Sequence, residues 1–301
     1  MNDNRHIVVG IDFSHCSANA LKEALRVAPS PRMVIALHVI DEWAFSKINW
    51  GTKVDKEELM RQGTEQLELW VAEQLDGRMV QCEVVVGKPF VELVEAFYRH
   101  DADLLVLGTH GLESAADRTG TVATKCARKA PVPVLLVRYH QERSFQNVAA
   151  CLDFSEMNGE VVREAARIAK KFGGSLYFIH VIRPMDSMLV DLEALSHAIP
   201  PDGQPKWREN AEDEMKEFLL PFQDELDGLE TKSFIVESVS SSKGITEFAK
   251  EHDVDLLVLA SRGRTGLNWI LMGTTAEKVI HETPCSTLVI KPDDFKPPRG
   301  V

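Results

Sequence analysis

The chain repeats itself. "HDADLLVLGTHG" (100–111) and "HDVDLLVLASRG" (252–263) agree at eight of twelve positions, at an offset of 152 residues. Two further pairs keep the same order: "VVGIDFS" (8–14) with "AACLDFS" (149–155), at an offset of 141, and "IALHVID" (35–41) with "YFIHVIR" (177–183), at 142. Self-similarity on this scale makes each half one complete folding unit. We expect a first domain over 1–143 and a second over 144–301, joined at the polar stretch "YHQERSF" (139–145). The offset drifts by about ten residues after the second strand, where the second half carries "IPPDGQP" (199–205). Its Pro and Gly read as a loop.

Within each half, apolar runs of strand length alternate with helical patterns. The strand candidates "HIVVGI", "MVIALHV", "VQCEVVV", "DLLVLG" and "VPVLLVR" are answered by "NVAACL", "SLYFIHV", "KSFIVES", "DLLVLA" and "STLVIK". Leu21, Ala24, Leu25 and Ala28 recur at helical spacing, as do Val162, Ala165, Ala166, Ala169 and Phe172 in the matching place. Ser14 and Ser155 stand ahead of these stretches as candidate caps. Strands that are apolar almost throughout, separated by helices, form parallel sheets covered on both faces. The expected fold is α/β, with two tandem doubly wound domains, each an open five-stranded parallel sheet flanked by helices.

Composition removes several classes of function. A net charge of −12, with no Lys/Arg-rich stripe, repels a phosphate backbone, so nucleic acid is not an expected partner. The apolar runs fall short of the roughly 18 to 20 residues that a membrane span needs, and "MNDNRHIVVGID" has no signal-peptide architecture. The expectation is a cytoplasmic protein without a membrane partner. Five cysteines (Cys16, Cys82, Cys126, Cys151, Cys285) with no C-x-x-C suggest neither a disulfide framework nor a zinc site; they read as buried thiols.

Doubly wound sheets bind ligands beyond the carboxyl ends of their strands, where strand order reverses. Asp12 and Asp153 close the first strand of each half, while Gly108 and Gly111, or Ala260 and Gly263, close the fourth. If strands one and four lie side by side, these ends flank one crevice. Glycines there let backbone N–H groups approach a phosphate, and "GTTAEKVI" (273–280) would add the positive end of a helix. The same glycines can also serve only a tight turn.

These residues resemble the universal stress protein family, in its tandem two-domain members, over essentially the whole chain. The family's nucleotide-binding members carry Gly-x2-Gly-x9-Gly-[Ser/Thr] after the fourth strand, an Asp ending the first, and a His-Val pair ending the second. "IDFS" and "LDFS", with "LHVID" and "IHVIR", fit both halves. The resemblance implies an adenine nucleotide alpha hydrolase-like fold that binds ATP, with or without Mg. Asp12 or Asp153 and the backbone of Val39 or Val181 would face adenine; the glycine loop and its following hydroxyl would hold ribose and phosphates. In the family the last strand of one domain pairs with that of another, which implies an internal pseudo-dimer of the two halves through "VLLVR" (134–138) and "STLVI" (286–290). A homodimer of whole chains is compatible with this.

The halves depart from the motif differently. The second reads Ala260-x2-Gly263-x9-Gly273-Thr274, followed by Thr275, with spacing intact and one added methyl. The first reads Gly108-x2-Gly111-x8-Gly120-Thr121, one residue short. Arg262 and Arg264 flank Gly263 without an acid nearby, whereas Glu113 and Asp117 face Arg118 in the first loop. Guanidiniums attract a polyphosphate and carboxylates repel it, so the second half is the expected ATP site.

His38 and His180 read as imidazoles held by neighbouring backbone, and His110 as a loop residue. Asp101/Asp103 and Asp253/Asp255 read as caps or turns at the amino end of the fourth strand. Trp43, Phe45, Trp50, Met185, Met188 and Leu189 read as packing residues, with lids or partner surfaces as the alternative. No P-loop, nucleophile elbow, His-Glu-x-x-His or other nucleophile–base pair is legible, so we expect a binding protein, not an enzyme. Slow ATP hydrolysis or phosphotransfer, a non-nucleotide small-molecule or interaction module, and a redox sensor remain as rivals.

Overall fold

Strand order decides whether the two motif-bearing strand ends of each half can meet. The computed structural model describes residues 6–109, 119–138, 145–184, 207–263, 272–282 and 284–292. It divides into two compact units. In the first, β1 (His6–Ile11), β2 (Val34–Asp41), β3 (Gln81–Gly87), β4 (Ala102–Gly108) and β5 (Val134–Val137) lie parallel in the order β3-β2-β1-β4-β5. In the second, β6 (Asn147–Cys151), β7 (Ser175–Ile182), β8 (Thr231–Glu237) and β9 (Leu256–Ala260) are parallel in the order β8-β7-β6-β9. Each unit therefore seats its first strand beside its fourth, the condition for a shared crevice.

The last strand, β10 (Ser286–Ile290), is grouped with the first unit and runs antiparallel to β5, with Leu288 opposite Leu135. All nine residues of β5 and β10 are buried, and the Ser286 hydroxyl accepts the N–H of Arg138 at 3.2 Å. Just past β10, the buried Lys291 ammonium donates to the carbonyl of Ala127. That carbonyl lies in the last turn of helix α5 (Thr121–Lys129), where free carbonyls and the negative end of the helix favour a cation.

Helices follow the expected apolar faces. Helix α1 (His15–Val27) is capped by Ser14, whose Oγ accepts from Ser17 N–H at 3.1 Å, and it buries Leu21 and Ala24. Its counterpart α6 (Asn158–Phe172) buries Val162, Ala165, Ala166 and Ala169 and ends at Gly173, whose φ of 64° suits a residue without Cβ. Ser155 does not cap α6. The helix starts three residues later, with Met157 at the cap position making no side-chain bond. Further elements are α2 (Glu42–Thr52), α3 (Lys56–Gln74), α4 (Pro89–Arg99), α7 (Trp207–Leu219), α8 (Gln223–Leu226), α9 (Ser241–Glu251) and α10 (Thr274–Glu282).

Of the acidic pairs at the amino ends of the fourth strands, Asp101, Asp253 and Asp255 serve turns, as expected, while Asp103 lies within β4. Asp101 and Asp253 take left-handed φ values of 47° and 46°, and Asp255 Oδ2 accepts the N–H groups of Gln146 and Asn147 at 3.0 and 2.9 Å. The aromatic residues after β2 depart from the packing expectation. Trp43 is 67% and Trp50 94% exposed, because α2 turns that face to solvent, while Phe45 is half-buried. Met185, Met188 and Leu189 lie outside the described residues.

Candidate functional site

Each crevice begins with a strained turn. Phe13 and Phe154, which follow the motif aspartates, have φ of 63° and 57°, a region that non-glycine residues seldom enter. The turn folds each Asp carboxylate over its own backbone: Oδ1 of Asp12 accepts Ser14 N–H at 3.0 Å and Oδ1 of Asp153 accepts Ser155 N–H at 3.1 Å. Strain of this kind persists when neighbours over-determine it. Here the Phe rings pack on the strand-two histidines, with centroids 4.7 Å apart for Phe13–His38 and 4.4 Å for Phe154–His180. Each imidazole Nδ1–H donates at 2.8 Å to a carbonyl at the carboxyl end of the first strand, His38 to Ile11, the last residue of β1, and His180 to Leu152, the residue after β6. Both histidines are thus structural clamps between adjacent strands, as their apolar setting suggested.

In the second unit one cavity of about 300 Å³ is lined by Asp153, Val181, Ala260, Arg262, Gly263, Gly273, Thr274 and Thr275. Its size is at the small end of the roughly 300–1,000 Å³ usual for ligand pockets. Arg264 lies outside the described residues. A Cβ at Gly263 would overlap Oδ2 of Asp153, so the aspartate and the glycine turn meet across the crevice. Gly273 occupies the cap position of α10: its carbonyl accepts Glu277 N–H at 3.0 Å. The next three residues, Thr274, Thr275 and Ala276, line the cavity with the helix's first amides, which have no intrahelical acceptor.

In the first unit Asp12, Val39, Gly108, Gly120 and Thr121 line a corresponding cavity of about 240 Å³, while Gly111 and His110 lie outside the described residues. The missing residue of the first loop does not alter its base. Gly120 N–H donates to the Thr109 carbonyl at 2.6 Å, as Gly273 N–H donates to the Ser261 carbonyl at 2.8 Å. The two crevices differ in lining chemistry instead. Among the described residues, the first is faced by Pro89, Leu93, Leu107 and Val122 and by no Lys or Arg; the second is faced by Ser241, Ser261, Asn158 and Arg262.

Sequence reading missed three of these polar groups. Asn158, 1% exposed, accepts Asp153 N–H on its Oδ1 at 2.6 Å and so fixes the aspartate from α6. Ser241 opens α9 where the first half has Pro89, a difference visible in "SVSSSK" (238–243) against "VGKPFV" (86–91). Ser261 is 1% exposed, and its hydroxyl has no hydrogen-bond partner among the described residues. Its signal was only its place in the glycine motif.

The universal stress protein family model matches residues 3–138 and again 144–291. Universal stress protein E of Photorhabdus laumondii is 26% identical over an alignment covering 99% of this chain and 98% of that protein. A universal stress protein of Methanocaldococcus jannaschii is 29% identical over 154 residues, half of this chain and 84% of its own length. Among solved structures, a universal stress protein from Archaeoglobus fulgidus, 22% identical, superposes with a TM-score of 0.64 over 97% of this chain and 99% of its own, a likeness of fold. The doubled family match covers both halves of a doubled fold, and the chain belongs to the universal stress protein family as a tandem two-domain member.

Proposed function

We propose that the second unit binds an adenine nucleotide, ATP in the first instance, and that the chain is a cytoplasmic, ligand-responsive regulator that leaves the nucleotide intact. The observation that carries this reading is the convergence of Asp153, Val181, Gly263 and the open amides of Thr274–Ala276 on one cavity. The residues fit the group. A Cβ at Gly263 would take the space beside Asp153, Gly273 has its nearest atom at 3.7 Å from such a position, and the Ser261 hydroxyl awaits a partner. Asp153 is the one carboxylate lining the cavity among the described residues, and as an acceptor it suits the exocyclic amino group of adenine. The α10 amides and Arg262 suit phosphates, and a bound Mg would be held chiefly by phosphate oxygens.

Calorimetry with ATP and adenosine tests the assignment. Asp153→Ala is expected to weaken both ligands by about ten-fold, the worth of a hydrogen bond to a charged group (~1.5 kcal/mol), because both carry the adenine. Asp12→Ala should change little. Equal losses from the two variants would place nucleotide in both units, and absence of ATP binding would remove the proposed function. Recovery of unhydrolysed ATP after prolonged incubation separates a regulator from a slow ATPase.

The thiols argue against the redox rival. Cys16, Cys126, Cys151 and Cys285 are buried; burial pushes Cys126 up to about 12 and half-buried Cys82 up to about 11, and raises Cys151 further. A thiol held protonated is a poor nucleophile. The native protein should therefore react with iodoacetamide at pH 8 far more slowly than the unfolded chain, as read by mass spectrometry. One cysteine alkylated as fast in the native state would restore the redox reading.

A further inference from the structure

One peptide group of the second crevice is held at both ends. The carbonyl of Leu152 accepts from His180 Nδ1 at 2.8 Å, and the N–H of the same peptide, that of Asp153, donates to Oδ1 of Asn158 at 2.6 Å. Two further bonds close the turn: Ser155 N–H donates to Asp153 Oδ1 at 3.1 Å, and Asn158 N–H to the Ser155 carbonyl at 2.9 Å. Asn158 is the first residue of α6, is 1% exposed and lines the cavity. Its side chain is thus fixed from both of its neighbours in the turn.

The bond to Asp153 also settles which end of the Asn158 amide is which. A backbone N–H can only donate, so the atom that meets it is the oxygen, and Nδ2 with its two N–H donors is the other end. Among the described residues Nδ2 has no acceptor, and a buried donor left without one costs free energy. Ser17, the matching residue of the first unit, offers no such donor: its hydroxyl donates to the Ser14 carbonyl at 3.0 Å.

Asp153 and Asn158 therefore set an acceptor and a donor together in one turn of the second crevice. Adenine carries the complement, since its 6-amino group donates and the ring nitrogens on either side, N1 and N7, accept. A phosphate would offer acceptors to both residues and be repelled by the carboxylate. We propose that Asn158 is a specificity-determining residue of this crevice, donating from Nδ2 to a ring nitrogen of adenine beside the amino group that Asp153 accepts; the inference rests on the nucleotide reading above. A 6-oxopurine turns an acceptor toward the Asp153 carboxylate, and Asn158 cannot answer by rotating, because its amide would then face N–H against the N–H of Asp153.

Calorimetry of the full chain at pH 8 compares ATP with 1-deaza-ATP and 7-deaza-ATP, in each of which one ring nitrogen is replaced by C–H. One of the two analogues is expected to bind about ten-fold more weakly than ATP, and identifies the nitrogen. Inosine triphosphate, a 6-oxopurine, should bind about thirty-fold more weakly. Asn158→Asp keeps an oxygen for Asp153 N–H and removes the donor, so the ratio between ATP and the weakened analogue should fall from about ten to about one. Asn158→Ser, which installs the residue of the first unit, should do the same. A purely structural role for Asn158 would lower the affinity of ATP and its analogues together and leave that ratio unchanged. If both variants fail to fold, the analogues read the unmodified protein directly. The proposal is overturned if both deaza analogues bind as ATP does, if inosine triphosphate does, or if the Asn158 variants keep the discrimination. Absence of ATP binding overturns it together with the nucleotide reading, whereas ATP binding without discrimination overturns it alone.

Discussion

Replacing Arg262 with Glu is expected to weaken ATP binding by about a hundred-fold, while adenosine binding falls by no more than about three-fold. Arg262 lines the second crevice beside Gly263, and the same cavity is lined by Gly273 and the first residues of α10. A charge-assisted hydrogen bond to phosphate is worth roughly 1.5–3 kcal/mol, and a carboxylate in the same place adds repulsion. Together they amount to about 2.7 kcal/mol, two decades in affinity. Adenosine lacks the phosphates and serves as the internal control. The difference should shrink at high salt, because the crevice is open to solvent and part of the attraction is screened. Calorimetry of both ligands at two ionic strengths reads all of this. An equal loss for ATP and adenosine would show that Arg262 acts through the shape of the site and not on phosphate.

The strands and the residues of the crevice were legible because the same physics was written twice; that strands one and four lie side by side was a condition of that reading, which the structure meets. The matched runs fixed which strands correspond, and the aspartates, valines and glycines at their carboxyl ends then fell together in each unit. Position along a strand is coded by simple alternation and burial, which survive in a bare sequence. Polar groups supplied from helix starts were not legible. Asn158 reaches Asp153 from the first position of α6, which begins two residues later than Ser155 as a cap would suggest, and a helix start depends on what its first turn would meet. Ser241 was hidden for the same reason, since nothing local says that the first residue of α9 faces the crevice. The hydrogen bond at the loop base is kept at either loop length, while the rest of the first loop lies outside the described residues. Burial of Trp43 and Trp50 was expected from their side chains alone, yet helix orientation exposes them.

Gly108→Val is expected to destabilise the first unit by about 3 kcal/mol, lowering its thermal midpoint by roughly 6–12 °C at about 2–4 °C per kcal/mol for a unit of this size. A Cβ at Gly108 would lie 2.7 Å from the carbonyl carbon of Cys16 and 2.9 Å from its oxygen. These are backbone atoms in the first turn of α1, which cannot rotate aside; the helix itself must retreat from β4. The first glycine of the motif is therefore a packing residue in this unit, whatever the crevice holds. The second unit shows the alternative solution to the same contact. Its Ala260 carries the methyl, and the position matching Cys16 is Met157, which precedes α6 and is not part of it. Ala260→Gly should accordingly gain nothing and cost about 0.5–1 kcal/mol through chain entropy. Hydrogen exchange resolved on α1 and β4, measured beside thermal unfolding, assigns the loss to the first unit. An unchanged midpoint for Gly108→Val, with α1 protected as before, would mean that the close approach costs nothing and that the glycine is kept for the crevice alone.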